Sequence, residues 1–465
     1  MVPDRFTPVL AELSPLGERF AASGHSLYLV GGTVRDLLLA AGDANDLDCT
    51  TDARPEVIRR VLEGWADAIW LQGERFGTIG ARRGRRTIEI TTHRGESYAP
   101  ESRKPEVSFS DSLDEDLSRR DFTINAMALR VGGEVRLIDP YDGAVDLLAK
   151  RLRTPLAPEV SFTEDPLRML RAARFIARLG LEPVPELVDA VHRLRHRLEI
   201  VSAERVRDEL DKLIVTDRPS PGLWFAVDTG LAEEFLPELP AMRLEQDPIH
   251  LHKDVLTHTL AVIENVRPDA HPDFDFRRTR LAALFHDVGK PKTRSIRGGK
   301  GVSFHHHEVV GARMTRDRMT ALRYGNDDVE AVTELVALHL RFHTYQMGWT
   351  DSAVRRYVRD AGPLLAELNV LTRCDCTTRN ARKAAMLARR MDELEARIAE
   401  LEAQEELAAL RPDLDGRAVM ERLGVPPGPV VGQALAFLLE LRLEEGPLGP
   451  DEAARRLDAW WAQRG

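Results

Sequence analysis

The sequence predicts an α+β protein: a small mixed head over residues 1–150, followed by helices to the end of the chain. Two patterns predict this. Short apolar runs such as Leu27-Tyr28-Leu29-Val30, bounded by glycine and polar residues, read as strands within the first part. From about Asp142 onward, apolar residues recur at helical steps of three and four. A third observation places chemistry in the head: Gly31-Gly32 and then Asp46-Leu47-Asp48, two carboxylates separated by one residue.

In the head, the expected strands are Leu27–Val30, Leu47–Thr50, Thr78–Arg82, Thr87–Thr91 and Val135–Ile138, with a helical segment from Thr33 to Ala41. Alternate side chains of a strand project to one face, so Asp46 and Asp48 point together and can hold divalent metal. The Gly31-Gly32 turn can present backbone N–H groups to a phosphate, with Arg35 beside it. Glu89, mid-strand among apolar neighbours, lies either on a solvated face or in a site. The stretch between His93 and Leu117 is polar, carries Pro100 and Pro105 and reads as a flexible loop.

Beyond the head, Arg119-Arg120-Asp121 precedes a small apolar segment and fits either triphosphate binding or a capping pattern. In Glu164–Phe175 the arginines 168, 171 and 174 fall at steps of three, which keeps them neighbours on a helix. Asp165 and Arg168 could offer an acceptor and a donor to a base edge, or form an ordinary ion pair. Leu387, Met391, Leu394, Ile398 and Leu401 mark a further amphipathic helix that packs within its domain.

Composition limits the alternatives. With 465 residues, 43% of them hydrophobic, the chain can form several domains with ordinary cores. No apolar run approaches the roughly 18 residues of a membrane span. Met1-Val2-Pro3-Asp4-Arg5 lacks the layout of a signal peptide, so a cytoplasmic protein is expected. Three cysteines cannot build a disulfide framework, and Cys374-Asp375-Cys376 lacks the two-residue gap of a zinc pair. The net charge of −10 does not point to nucleic acid, but arginine is locally dense at 82–86, 168–178 and 193–197, enough for one RNA-binding face.

Taken in order, Gly31-Gly32-Thr33-Val34-Arg35-Asp36, Asp46-Leu47-Asp48, Arg119-Arg120-Asp121-Phe122-Thr123-Ile124-Asn125-Ala126, Asp139-Pro140-Tyr141-Asp142-Gly143 with Asp146-Leu147, Glu164–Phe175 and Ser202-Ala203-Glu204-Arg205-Val206 resemble the class II tRNA nucleotidyltransferase and bacterial poly(A) polymerase family. The resemblance implies a polymerase-beta-like nucleotidyltransferase head with Asp46 and Asp48 as magnesium ligands and Glu89 as the third carboxylate. It implies that Gly31, Gly32 and Arg35 contact the triphosphate and that Arg120 helps hold the nucleotide. Asp165 and Arg168 would read the base of CTP or ATP, supported by Arg171 and Arg174. The tRNA 3′ end would supply the attacking hydroxyl, and the stretch after Arg94 would help switch from C to A addition.

The middle of the chain carries a second constellation: His258, His286-Asp287 after an apolar run, His305-His306-His307, His339 and Asp375. This resembles the HD phosphohydrolase domain, which implies a metal site of His258, His286, Asp287 and Asp375. His307 and His339 would serve a second metal, and His307 is preferred to its two neighbours. Imidazole and carboxylate ligands suit a divalent transition metal without fixing which one. The expected organisation is a head at 1–141, a helical neck at 142–245, the HD domain at 246–380 and a tRNA-binding tail at 381–465. The expected activity is CCA addition to tRNA, with poly(A) synthesis, partial CC- or A-addition and HD-type hydrolysis as competitors, and with no membrane association. Oligomeric state is not legible in the sequence.

Overall fold

In the computed structural model, residues 3–40, 46–97, 106–244, 254–297, 301–344, 349–378, 380–405 and 411–464 are described. The chain divides into two compact units, Met1–Pro240 and Ala241–Gly465. The expected boundaries at 141 and 380 fall inside these units.

Among the described residues the head carries nine strands: β1 (Leu27–Val30), β2 (Asp46–Thr51), β3 (Ala68–Gly73), β4 (Thr78–Arg83), β5 (Arg86–Thr92), β6 (Arg94–Ser97), β7 (Glu106–Phe109), β8 (Ala128–Val131) and β9 (Leu137–Ile138). Seven of them form one sheet in the order β3-β4-β5-β2-β1-β8-β9. β2 and β5 are parallel, and β1 is antiparallel to both of its neighbours. The alternation read from sequence now has a structural cause. Leu47, Cys49, Ile79, Ala81, Ile88 and Ile90 point to one face, where helices Thr7–Ala22 and Pro55–Leu62 cover them with Leu13, Leu16, Phe20, Ile58 and Val61. In the alternate positions, Asp46, Asp48 and Glu89 stay exposed on the other face.

Three expectations change. The stretch after His93 is not all loop: β6 and β7 pair as a hairpin, and Leu113–Ser118 is a helix capped by the Ser112 side chain. Residues 98–105 of that stretch lie outside the described residues, as does Ala41. β3 and β8 were not expected: β3 mixes polar and apolar residues without clean alternation, and β8 is a short, almost wholly buried strand. The remainder is not purely helical, because Arg151–Leu152 pairs with Glu182–Pro183 and Arg294–Arg297 pairs with Gly301–Phe304.

The rest of the first unit is mostly helical. Leu167–Leu179 packs against Ala203–Ile214 and Ser220–Asp228. In the second unit, Val255–Asn265, Phe276–Phe285, Asn326–Leu338 and Leu365–Asp375 pack together. The helix Ala381–Glu405 buries Met391, Leu394, Ile398 and Leu401. The last three helices share a core of Val419, Ala434, Leu438 and Leu457. No described helix is long and apolar enough to cross a membrane.

Candidate functional site

The head site is set by strand register. Asp48 on β2 pairs with Glu89 on β5, and Asp46 pairs with Thr87, so three carboxylates share one face of two adjacent strands. Partial desolvation raises the pKa of Asp48; Arg120 pulls it back and Asp46 pushes it further up. Glu89 is raised by desolvation, then by Asp48 and Asp46. The mutual repulsion is what a site that binds cations stores between its ligands.

Above this floor, Gly31 adopts φ 68° and ψ −138°, a conformation open to glycine. A Cβ there would lie 3.1 Å from Arg120 Nη1 and 3.8 Å from an Asp48 carboxylate oxygen. Glycine therefore lets Arg120 approach Asp48. The Arg120 guanidinium donates to Asp116 at 3.1 Å, as does Arg119 at 2.8 Å. Burial would raise the Asp116 pKa, but the two arginines hold it far below the usual carboxylate range. Asp116 thus keeps its charge and fixes Arg120 at the site.

Arg35, expected to contact the triphosphate, is buried with its guanidinium beside Gly32. The residue is 2% exposed, and its guanidinium donates to Asp36 at 2.8 Å and to Asn125 at 2.5 Å, lying 5.2 Å over the Phe175 ring. It ties the helix Gly32–Leu38 to the Thr123–Asn125 turn. Asn125 in turn donates to Asp121, which also accepts two bonds from Arg171, at 2.9 and 2.5 Å. Burial opposes the charge on Asp121, yet Arg171 and Asn125 hold its pKa down at about 2. Arg174 pairs with buried Glu209 at 2.6 Å. Arg171 and Arg174 are thus struts between elements.

Asp165 and Arg168 flank the start of helix Leu167–Leu179. One Asp165 oxygen accepts from the Leu167 N–H at 3.2 Å and the other pairs with Arg205 at 3.1 Å. Arg168 donates to Ser161 Oγ at 2.8 Å and to the Arg119 carbonyl. These bonds fix the plane of its guanidinium. Sequence reasoning gave no role to Asp116, Asp121, Asn125, Arg205 or Glu209, although Asp121, Asn125 and Arg205 lie inside the quoted motifs. For Asp116, Asp121 and Glu209 the signal was charge at positions the fold buries.

The second unit carries a tighter cluster. His258 Nε2 lies 2.9 Å from Asp375 and 3.5 Å from Asp287 Oδ2, and His286 Nε2 lies 3.3 Å from the same Asp287 oxygen. The other Asp287 oxygen faces His307 Nε2 at 3.4 Å and His339 Nε2 at 4.0 Å. The ligand atoms of His258, His286 and Asp287, and of Asp287, His307 and His339, lie within 4.8 Å of one another. Nδ1 of His286, His307 and His339 is bound to the carbonyls of Ala283, Phe304 and Val336, so each ring turns its Nε2 inward. Asp287 Oδ1, His307 Nε2 and His339 Nε2 are buried without a hydrogen-bond partner. Of the three consecutive histidines, His307 faces this cluster and His306 is exposed.

A nucleotidyltransferase-type sheet bearing carboxylates, followed by helices that carry a buried histidine–aspartate cluster, defines the class. Residues 27–153 match the poly A polymerase head domain, residues 180–242 the probable RNA and SrmB-binding site of polymerase A, and residues 255–401 the HD domain. The A-adding tRNA nucleotidyltransferase of Deinococcus radiodurans is 34% identical over 446 residues, covering 94% of this chain and 95% of that protein. The CCA-adding enzyme of Bacillus pumilus is 39% identical over 241 residues, 52% of this chain and 57% of that protein. The structure of the Bacillus stearothermophilus CCA-adding enzyme in complex with CTP superposes with a TM-score of 0.69 at 22% identity, covering 100% of this chain and 99% of that one. The chain belongs to the CCA-adding tRNA nucleotidyltransferase family, in the branch that carries an HD domain, and it is a nucleotidyltransferase.

Proposed function

We propose that this enzyme adds C, C and A to the 3′ end of tRNA from CTP and ATP, without a nucleic-acid template. The observation that carries the reading is the register of Asp46, Asp48 and Glu89 on one sheet face, with Gly31 and Arg120 beside them. Asp46 and Asp48, with Glu89, would hold magnesium, which neutralises charge on the phosphoryl group being transferred. Gly31, Gly32 and Arg120 orient the triphosphate, and Asp116 keeps Arg120 charged and in place. Arg35, Arg171 and Arg174 act indirectly, holding the helices around the nucleotide. Asp165 and Arg168 offer the base an acceptor and a donor whose positions Arg205 and Ser161 restrict.

One observation favours a second reading. The A-adding relative aligns along 94% of the chain, while the CCA-adding relative aligns along about half. Under that reading only the terminal A is added, to tRNA already ending in C-C. Two transcripts decide between them, one ending before the first C and one ending in C-C, each incubated with magnesium and with ATP alone or CTP plus ATP. Extension of the first by three nucleotides supports CCA addition. Extension of the second alone, by one A, supports A addition, and a long ATP-only product would indicate a poly(A) polymerase. Extension of neither transcript by a folded sample overturns both readings.

For the HD cluster, the buried unpartnered atoms of Asp287, His307 and His339 support a divalent transition metal bound by His258, His286, Asp287 and Asp375, with His307 and His339 completing a second position. A hydrolase whose main chemistry sits there would lose its activity in Asp287→Ala and keep it in Asp46→Asn.

A further inference from the structure

The row of the sheet that contains Asp48 and Glu89 continues two strands further. Glu89 on β5 pairs with Gly80 on β4, and Gly80 pairs with Trp70 on the edge strand β3. Residues paired across strands project to the same face, so Trp70 stands on the carboxylate face. Its indole does not point straight away from the sheet. A Cβ on Gly80 would lie 1.9 Å from Trp70 Nε1 and 2.1 Å from Cε2, so the ring lies over the bare Gly80 backbone, leaning toward Glu89. Any larger residue at position 80 would displace it. The indole is still 36% exposed. Successive strands are about 4.8 Å apart, which puts the ring about one strand spacing from Glu89. The next row adds charge: Arg82 pairs with Thr87, which pairs with Asp46, and Arg82 is exposed on the same face.

We propose that Trp70, seated on Gly80, is a stacking platform for the last base of the RNA primer, with Arg82 as a contact for its backbone. The proposal rests on the nucleotidyl-transfer reading and names how that site holds its primer. A flat aromatic surface and an adjacent cation are the elements of single-stranded nucleic-acid binding. Their position matters as much as their chemistry. A base stacked on Trp70 leaves its ribose toward Glu89 and Asp48, where the 3′ hydroxyl must be presented. A tryptophan half-open to solvent on an edge strand otherwise has little to stabilise it there.

The test is binding of a fluorescently labelled tRNA transcript ending in C-C to the full-length protein, read by anisotropy with nucleotide omitted. Trp70→Ala should weaken binding by about tenfold and Trp70→Phe should restore most of it. A transcript whose last nucleotide is abasic should lose the same factor against wild type and nothing more against Trp70→Ala. In extension assays, Trp70→Ala should raise KM for tRNA and leave KM for ATP unchanged. Thermal melting verifies that each variant is folded, and Trp70→Leu, apolar but without a flat ring, serves if Trp70→Ala is not. Equal penalties for the abasic end in wild type and in the variant would overturn the platform. Because binding is read without chemistry, it can fail or succeed independently of whether Asp46→Asn abolishes extension.

Discussion

The two candidate sites of this chain are built by opposite means. The head carboxylates are exposed and placed by strand register, and desolvation, with neighbouring carboxylates adding to it, raises the pKa of Asp48 and Glu89. The HD cluster is almost wholly buried, and its rings are aimed by backbone carbonyls at a common point. A buried cluster with orphaned lone pairs is costly without a cation, so it suits a metal that stays. An open carboxylate row suits a metal that arrives with a triphosphate and leaves with pyrophosphate. The comparison predicts which site answers for nucleotide addition and which for metal-dependent stability.

The largest effect separates them by activity. Asp46→Asn should reduce extension of tRNA by about 10³-fold or more, since metal charge stabilisation is worth several kcal/mol in such transfer. Asp287→Ala should leave the extension rate near wild type. The reverse pattern in a quantitative gel assay would assign the principal chemistry to the HD cluster.

The second effect separates them by stability. A transition metal at about 100 times its Kd should stabilise the protein by about 2.7 kcal/mol. For units of this size that is a rise of about 5–10 °C in Tm. Manganese, nickel or zinc added to chelator-treated protein should produce it, and the rise should vanish in Asp287→Asn but persist in Asp46→Asn. An equal rise in all three proteins would mean that the HD cluster is not the metal's stabilising site.

The third is a pH effect confined to the first unit. Asp121 is held near pKa 2, below its ordinary value of 3.8. A depressed carboxylate stabilises the fold fully above its unfolded pKa, and the contribution is lost as pH falls through the folded value. Asp121 therefore contributes about 2 kcal/mol above roughly pH 4, fading toward pH 2. Arg171→Ala removes the main partner and should flatten this part of the acid limb of Tm against pH. An unchanged acid limb would show that Asn125 and the Phe122 N–H hold the charge without Arg171.

The head sheet was legible because one-sided burial writes itself as alternation: Asp46, Leu47, Asp48 and Cys49 show on sight which face is which. The strand β3 was not, because this irregular edge strand at Ala68–Gly73 buries none of its residues fully and shows no clean alternation. The hairpin of β6 and β7 hid for a related reason, since its residues pair with each other and not with the main sheet. At the site, residue types were legible and partnerships were not. Arg35, Arg120, Arg168, Arg171 and Arg174 all read as phosphate or base ligands, because an arginine's sequence neighbours do not reveal whether a carboxylate distant in sequence claims it. Only folding shows that Asp121 claims Arg171 and Glu209 claims Arg174, leaving Arg120 closest to Asp48.

The smallest effect tests how nucleotide choice is held. Arg205 and Asp165 form a half-exposed pair, with side chains 44% and 22% exposed, 3.1 Å apart. Such a pair contributes at most about 1 kcal/mol, so Arg205→Ala should leave Tm nearly unchanged. Its consequence is orientational: without Arg205, Asp165 keeps only the bond to the Leu167 N–H, and its second oxygen is free to turn. Extension with the proper nucleotides should fall only about two- to fivefold. Misincorporation of G or U, measured with single nucleotides, should rise by more than that, and Asp165→Ala should raise it further. If both variants discriminate as well as the wild type, base choice does not pass through Asp165, and Arg168 with its Ser161 and Arg119 anchors must carry it alone.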